Sequence, residues 1–188
     1  MRKIGIYGGT FDPVHHAHLI LAREASELLG LEKVIFVPAA ISPFRDAPAV
    51  GAEMRLSMLR LAIEGESGFT IDECELRRPP PSYAIETVEE IRKRESEAEI
   101  YYLLGEDHVS SLSKWHRFSD LEKLVRFIVL DRGGSQPRYS YEVVRCRIDI
   151  SATEIRNRVA SGRSIRYLVP PSVEELIRRQ NLYREREK

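Results

Sequence analysis

The chain has 188 residues, enough for one α/β domain with a sizeable core and too few for two full ones. Its 29 basic and 29 acidic residues cancel, which removes the bulk electrostatic case for nucleic acid or a membrane surface as partner. No run approaches 18 apolar residues, no apolar leader opens the chain, and Cys74 and Cys146 stand alone without a CxxC pair, which points to reduced thiols and a cytoplasmic location.

The first 30 residues read as strand, glycine loop and helix. Ile4, Ile6 and Tyr7 suit a short buried strand. Gly8 and Gly9 break it, and Asp12-Pro13 reads as a turn. From His16, the spacing of Leu19, Ala22, Ala25, Ser26 and Leu29 predicts a helix that stops at Gly30. Such a loop lies at the carboxyl end of its strand, where open α/β sheets bind ligands. Glycines let the backbone approach an anion, and the helix start adds N–H groups and a positive dipole end. His15 and His18 share one face of the first turn and can donate to phosphate oxygens. The same spacing equally suits a metal pair.

Residues 33–38 form a second buried strand, parallel to the first by a helical crossover. A proline-bearing surface loop with Arg45 follows over 39–51, at the same edge as the glycine loop. Residues 52–63 make an amphipathic helix with Leu56, Leu59 and Ile63 inward, and residues 69–76 alternate like a strand. The prolines at 79–81 separate it from a helix over 82–94. Residues 99–104 give a core strand ended by Gly105, with helical sequence beyond. There Glu106 and Asp107 suit a ribose or a metal-bound water, or simply favour a helix N-terminus. Trp115 reads as a core or interface residue, or as a half-exposed plane that stacks on a ring.

A short helix over 121–125 precedes the fifth strand, 126–130; a glycine-rich polar loop over 133–141 leads to a last short strand, 142–150. Ser151 with Glu154 makes a capping-box pattern at the next helix. Thr153 and Arg156 add a second anion-binding helix start with a guanidinium attached. A final helix spans 171–183, with Val173, Leu176 and Ile177 apolar and a solvated charged end at 184–188. The alternation predicts an α/β, Rossmann-like doubly wound parallel sheet of five to six strands with helices on both faces. It forms one domain over 1–188, its helical part from about 151 packing on the sheet.

Residues 8–18, GGTFDPVHHAH, resemble the GGTFDPxHxGH signature of nucleotidylyltransferases, in particular the bacterial nicotinate-nucleotide adenylyltransferases, with Ala17 at the glycine between the histidines. ISATEIR over 150–156 resembles that family's ISSTxIR, with Ala152 at its second serine. SYAIET over 82–87 resembles its SYTxxT, and Gly105, Asp107 and Trp115 resemble its G-x-D…W segment. SPFR over 42–45 resembles its PPH[K/R] loop, with Phe44 for histidine and Arg45 keeping the cation. The resemblance spans essentially the whole chain.

It implies transfer of the adenylyl group of ATP to nicotinate mononucleotide, giving nicotinate adenine dinucleotide and pyrophosphate in NAD biosynthesis. The acceptor's phosphate attacks the α-phosphorus, so no protein nucleophile is needed. By resemblance, His15, His18, Arg45 and Arg156 are catalytic, the histidines on the α- and β-phosphates and the arginines on the triphosphate tail. Gly8, Gly9, Thr10, Phe11, Gly105, Asp107, Ile150, Ser151 and Thr153 join them in binding ATP. Tyr83, Thr87, Trp115 and His116 bind the mononucleotide, its carboxylate held by Thr87 and by backbone N–H groups at His116. Mg²⁺ arrives on the ATP phosphates rather than on a protein metal site. Partners are these small molecules, without nucleic acid or membrane, and a homo-oligomer stays open. Three rivals remain. Phosphopantetheine adenylyltransferases open with a GSFDP-like loop and lack the Tyr83…Thr87 and Trp115 segments. A non-catalytic nucleotide-binding regulator is suggested by Ala17, Phe44 and Ala152. A zinc site on His15, His18 and Cys74 or His108 leaves the glycine loop unexplained.

Overall fold

The computed structural model describes residues 2–43, 47–133 and 140–184. Its strands are β1 (Lys3–Gly9), β2 (Lys33–Pro38), β3 (Phe69–Ile71), β4 (Glu99–Gly105), β5 (Arg126–Asp131) and β6 (Glu142–Arg145). They form one sheet in the order β3-β2-β1-β4-β5-β6, and every neighbouring pair is parallel. This is the doubly wound order, in which the chain changes direction between β1 and β4 and leaves a crevice at their carboxyl ends.

Both faces of the sheet are covered, as near-continuous apolar strands require. Tyr7, Val34, Phe36, Leu103 and Ile128 face one core. It is closed by α1 (His16–Leu29), α2 (Ala52–Ala62), α6 (Ala152–Ala160) and α7 (Pro171–Arg179). Ile4, Ile6, Ile35, Val37, Tyr102 and Leu104 face the other. There α3 (Cys74–Arg77), α4 (Ala84–Arg94), a 3-10 helix (Glu106–Lys114) and α5 (Phe118–Leu124) pack. No helix among the described residues is long and apolar enough to cross a membrane.

Five local expectations are corrected. Gly8 and Gly9 do not break β1; they pair with Val37 and Pro38 as part of it. In α1 the buried side is Ala17, Leu21, Ala22, Ala25 and Leu29, while Leu19 and Ser26 are partly exposed. Residues 19–22 are all apolar, so spacing alone does not fix the helix rotation and packing does. The strand over 69–76 stops at Ile71, because the Asp72 carboxylate accepts from the Cys74 N–H (3.0 Å) and turns the chain into α3. The strand over 142–150 stops at Arg145. The last helix ends at Arg179, and positive φ angles at Asn181 (49°) and Tyr183 (61°) fold the tail back.

Candidate active site

A cleft of about 500 Å³ opens at the carboxyl ends of β1 and β4. Gly8, Gly9, Thr10, Phe11, His15 and His18 line it from the end of β1, the loop after it and the start of α1. Gly105 lines it from the end of β4, Asp107 from the 3-10 helix, and Ser151, Thr153 and Arg156 from the start of α6. Tyr83, Trp115 and His116 wall its other end. Ala17 lines it too, 1 % exposed, so the methyl that departs from the signature sits at the wall. Phe44 and Arg45 lie outside the described residues.

Gly8 and Gly9 serve close approach rather than unusual torsions. A Cβ on Gly8 would stand 2.8 Å from the Tyr102 hydroxyl, and one on Gly9 2.9 Å from the Phe11 ring. Phe11 itself is left-handed (φ 50°), buried, and edge-on to Tyr7 and His18.

The two imidazoles stack, with centroids 3.7 Å apart. The backbone N–H of His15 donates to His18 Nδ1 (3.2 Å). With Nδ1 accepting, the neutral His18 ring carries its proton on Nε2, a donor for an anion in the cleft. His15 Nδ1 is buried and has no hydrogen-bond partner among the described residues. Burial, reinforced by the Arg132 charge and by His16, pulls the His15 pKa down to about 3. Burial, then His15 and Arg132, likewise holds His18 well below the usual histidine range. Both rings are therefore neutral in the free protein near pH 7.

This burial sets a pH dependence. The folded-state pKa values lie below the unfolded one, so the unfolded chain binds more protons between about pH 3 and 6.5. The neutral rings' stability is thus fully present above pH 6.5 and is lost as pH falls. One unit below the unfolded pKa, His15 alone accounts for about 1.4 kcal/mol. That predicts a melting temperature about 3–6 °C lower at pH 5.5 than at 7.5, with a smaller drop in His15→Gln. A melting temperature flat across this window would mean that the rings are solvated.

The loop ahead of the histidines is fastened from distant segments. Asp12, 5 % exposed, accepts from the Ala49 N–H (2.6 Å) and the Tyr183 hydroxyl (2.7 Å). Its carbonyl accepts from Arg156 Nη1 (2.8 Å), whose Nη2 donates to Thr153 Oγ1 (3.3 Å). Arg55, 1 % exposed, donates to the carbonyls of Thr10 (2.7 Å) and Ala40 (3.3 Å) and so ties the β1 and β2 loops together. At the start of α6, Ser151 Oγ accepts from the Glu154 N–H (3.1 Å), while the Glu154 carboxylate faces Arg158 at 3.8 Å.

At the other end, Tyr83 and His116 lie ring to ring at 4.4 Å, and Trp115 stands edge-on to Tyr102 and His108. Trp115 is half-buried, and its Nε1 has no hydrogen-bond partner among the described residues. Two expected contacts do not reach the cleft wall. Thr87 is 1 % exposed; its hydroxyl donates to Glu75 Oε1 (2.6 Å) and accepts from Arg78 (2.7 Å). Glu75 takes its place at the wall, its pKa raised by burial against the bonds from Thr87 and Ser82. Ile150 contributes only its carbonyl, which accepts from Arg132 Nη1 (3.2 Å).

Arg132 is a cleft-lining cation that sequence reasoning missed. It lines the cleft and bears on both histidines. It follows β5 directly, and a basic residue just past the carboxyl end of a sheet strand was the signal that could have found it. No group of three or more His, Cys, Asp or Glu that could hold a metal ion occurs among the described residues. Cys74, offered above as a zinc ligand, is buried in the second core.

A sequence model described as cytidylyltransferase-like matches residues 6–158. A protein of Exiguobacterium sibiricum named "Probable nicotinate-nucleotide adenylyltransferase" is 41% identical over 96% of this chain and 98% of its own. One of the same name from Pelobacter propionicus is 38% identical over 97% and 99%. Among solved structures, Plasmodium falciparum nicotinic acid mononucleotide adenylyltransferase complexed with NaAD superposes with a TM-score of 0.83. It is 20% identical over 97% of this chain and 98% of that one, a likeness of fold.

Proposed function

The chain belongs to the nicotinate-nucleotide adenylyltransferases, within the cytidylyltransferase-like family, and from that premise we propose how its residues carry the reaction. The enzyme transfers the adenylyl group of ATP to nicotinate mononucleotide in NAD biosynthesis. A 5′-phosphate oxygen of the mononucleotide forms a bond to the α-phosphorus, the bond from that phosphorus to the β-phosphate oxygen breaks, and pyrophosphate leaves. The observation that carries the assignment of roles is one cleft that gathers His15, His18, Arg132 and Arg156 with the starts of α1 and α6.

The triphosphate lies along the β1 loop, its α- and β-phosphates toward His15 and His18. Nε2–H of His18 donates where charge develops as the leaving bond lengthens. Arg132, Arg156, the start of α6 at Ser151 and Thr153, and Arg45 of the 39–51 loop hold the rest of the tail. Gly8 to Phe11, Gly105 and Asp107 take the nucleoside part of ATP. A Mg²⁺ brought in on ATP would offset further charge on the triphosphate; among the described residues the cleft offers donors suited to an anion rather than a carboxylate cage. The mononucleotide places its pyridine ring against Trp115, beside Tyr83 and His116. Catalysis is then positioning plus charge neutralisation, within one domain over 1–188.

The test is pyrophosphate release with a panel of acceptors: nicotinate mononucleotide, its amide counterpart and phosphopantetheine. The acid mononucleotide is the expected best acceptor. Backbone N–H groups beside Trp115 suit a carboxylate, whereas a carboxamide would turn its own NH₂ on one of them. A buried donor left unpaired costs about 1–3 kcal/mol, so kcat/KM favours the acid by roughly 5–150-fold. A ratio near one would widen the assignment to both forms. Faster turnover of phosphopantetheine, or ATP binding without pyrophosphate release, would replace it.

A further inference from the structure

We propose that Tyr183, near the end of the chain, is a positioning residue for adenylyl transfer: its hydroxyl fixes the Asp12 carboxylate, and through it the loop that carries the two histidines. The proposal rests on the reaction given above. The two residues are 171 positions apart, yet Tyr183 Oη donates to Asp12 Oδ1 at 2.7 Å. The other oxygen of that carboxylate accepts from the Ala49 N–H at 2.6 Å, and the Asp12 carbonyl accepts from Arg156 at 2.8 Å. Asp12 is thus the knot at which the β1 loop, the 47–51 segment, α6 and the tail meet.

The tail's own backbone supports the reading. Beyond α7, the Gln180 N–H donates to the Leu176 carbonyl and the Leu182 N–H to that of Ile177, both at 3.0 Å, wrapping the chain back. Asn181 and Tyr183 then adopt left-handed torsions, which a tyrosine rarely tolerates and which surrounding contacts must enforce. Phe11, next to Asp12, is left-handed as well. Two strained residues thus meet through one carboxylate at the entry to the histidine helix. Burial first, then the Asp12 charge, raises the phenol's pKa, so the hydroxyl keeps its proton and its role as donor.

A purely structural role competes with this, since the Tyr183 ring also packs on the first core. The hydroxyl and the ring are separable. In the full chain, Tyr183→Phe keeps the ring and loses the donor; Tyr183→Leu loses both. A positioning role predicts that Tyr183→Phe lowers kcat about tenfold, within the range that misplacement of reacting groups produces. The KM for nicotinate mononucleotide stays within about twofold, because its pocket lies at the other end of the cleft. The melting temperature moves by under about 2 °C. Tyr183→Leu then loses stability with little further loss of kcat. Parent-like kcat in Tyr183→Phe, or losses that track melting temperature in both variants, would overturn the proposal. A parent that releases no pyrophosphate counts against the reaction itself. The positioning role is then read from affinity for a non-hydrolysable ATP analogue, which weakens about fivefold or more in Tyr183→Phe if the proposal holds and is unchanged if it does not.

Discussion

Replacing His18 with alanine lowers turnover roughly 10²–10³-fold, the loss that follows removal of one donor aimed at transition-state charge. Three features give the ring this weight. Its Nδ1 is occupied by the His15 N–H, which leaves Nε2–H as the outward donor. Its side chain is held between Tyr7, Phe11 and His15, so little entropy is lost when it meets a phosphate. Burial keeps it neutral until an anion arrives, so its attraction for phosphate grows as charge moves toward the leaving pyrophosphate. Circular dichroism of His18→Ala should match the parent, because the structural bond that alanine would break is the single one that His18 Nδ1 accepts from the His15 N–H. Turnover within about threefold of the parent would make His18 a packing residue, and the catalytic donor would have to be sought at Arg132.

Arg156→Ala is expected to lower kcat/KM by roughly 10–150-fold, from the loss of charge-assisted bonds of about 1.5–3 kcal/mol. The guanidinium holds the Asp12 carbonyl and Thr153 Oγ1 with two different nitrogens, so it bridges the first loop and α6 while facing the cleft. Lysine keeps the charge but presents no planar fork, and cannot span both acceptors and a phosphate together. Arg156→Lys should therefore recover part of the ATP affinity and little of kcat. Full recovery by lysine would reduce the residue to a point charge; unchanged kinetics in the alanine variant would remove it from the site.

Why some of this was legible and some not follows from the range of each interaction. The strands at Ile4–Ile6, 33–38, 99–104 and 126–130 are written in largely apolar residues, so their existence and the doubly wound class could be read directly, while their order in the sheet came from the structure. The helix starts at His15 and Ser151, expected to bind anions, are local too, and both line the cleft. Gly8 and Gly9 misled because their reason is tertiary: the Phe11 ring and the Tyr102 hydroxyl fill the space of a side chain. Thr87 has the right neighbours in sequence, but its hydroxyl donates to Glu75, twelve positions earlier. Asp12 read only as a turn former because its partners lie 37 and 171 residues away. Arg132 carries no motif at all, and only the sheet order brings it beside the histidines.

The two faces of the sheet are finished at different times in the life of the chain. The core beneath α4 and α5 draws almost wholly on residues up to Phe127, so it can form while the last third is still being synthesised. The opposite core needs Ile155, Ile165, Val169, Val173 and Ile177. Until α6 and α7 leave the ribosome, α1 and α2 alone roof that side, and the apolar surface left for the later helices stays open, the kind of surface that recruits chaperones or aggregates. A nascent or prematurely terminated chain is therefore half-roofed rather than half-sized. Degradation of truncated products, rather than accumulation of a sluggish enzyme, is the fate this order of assembly imposes.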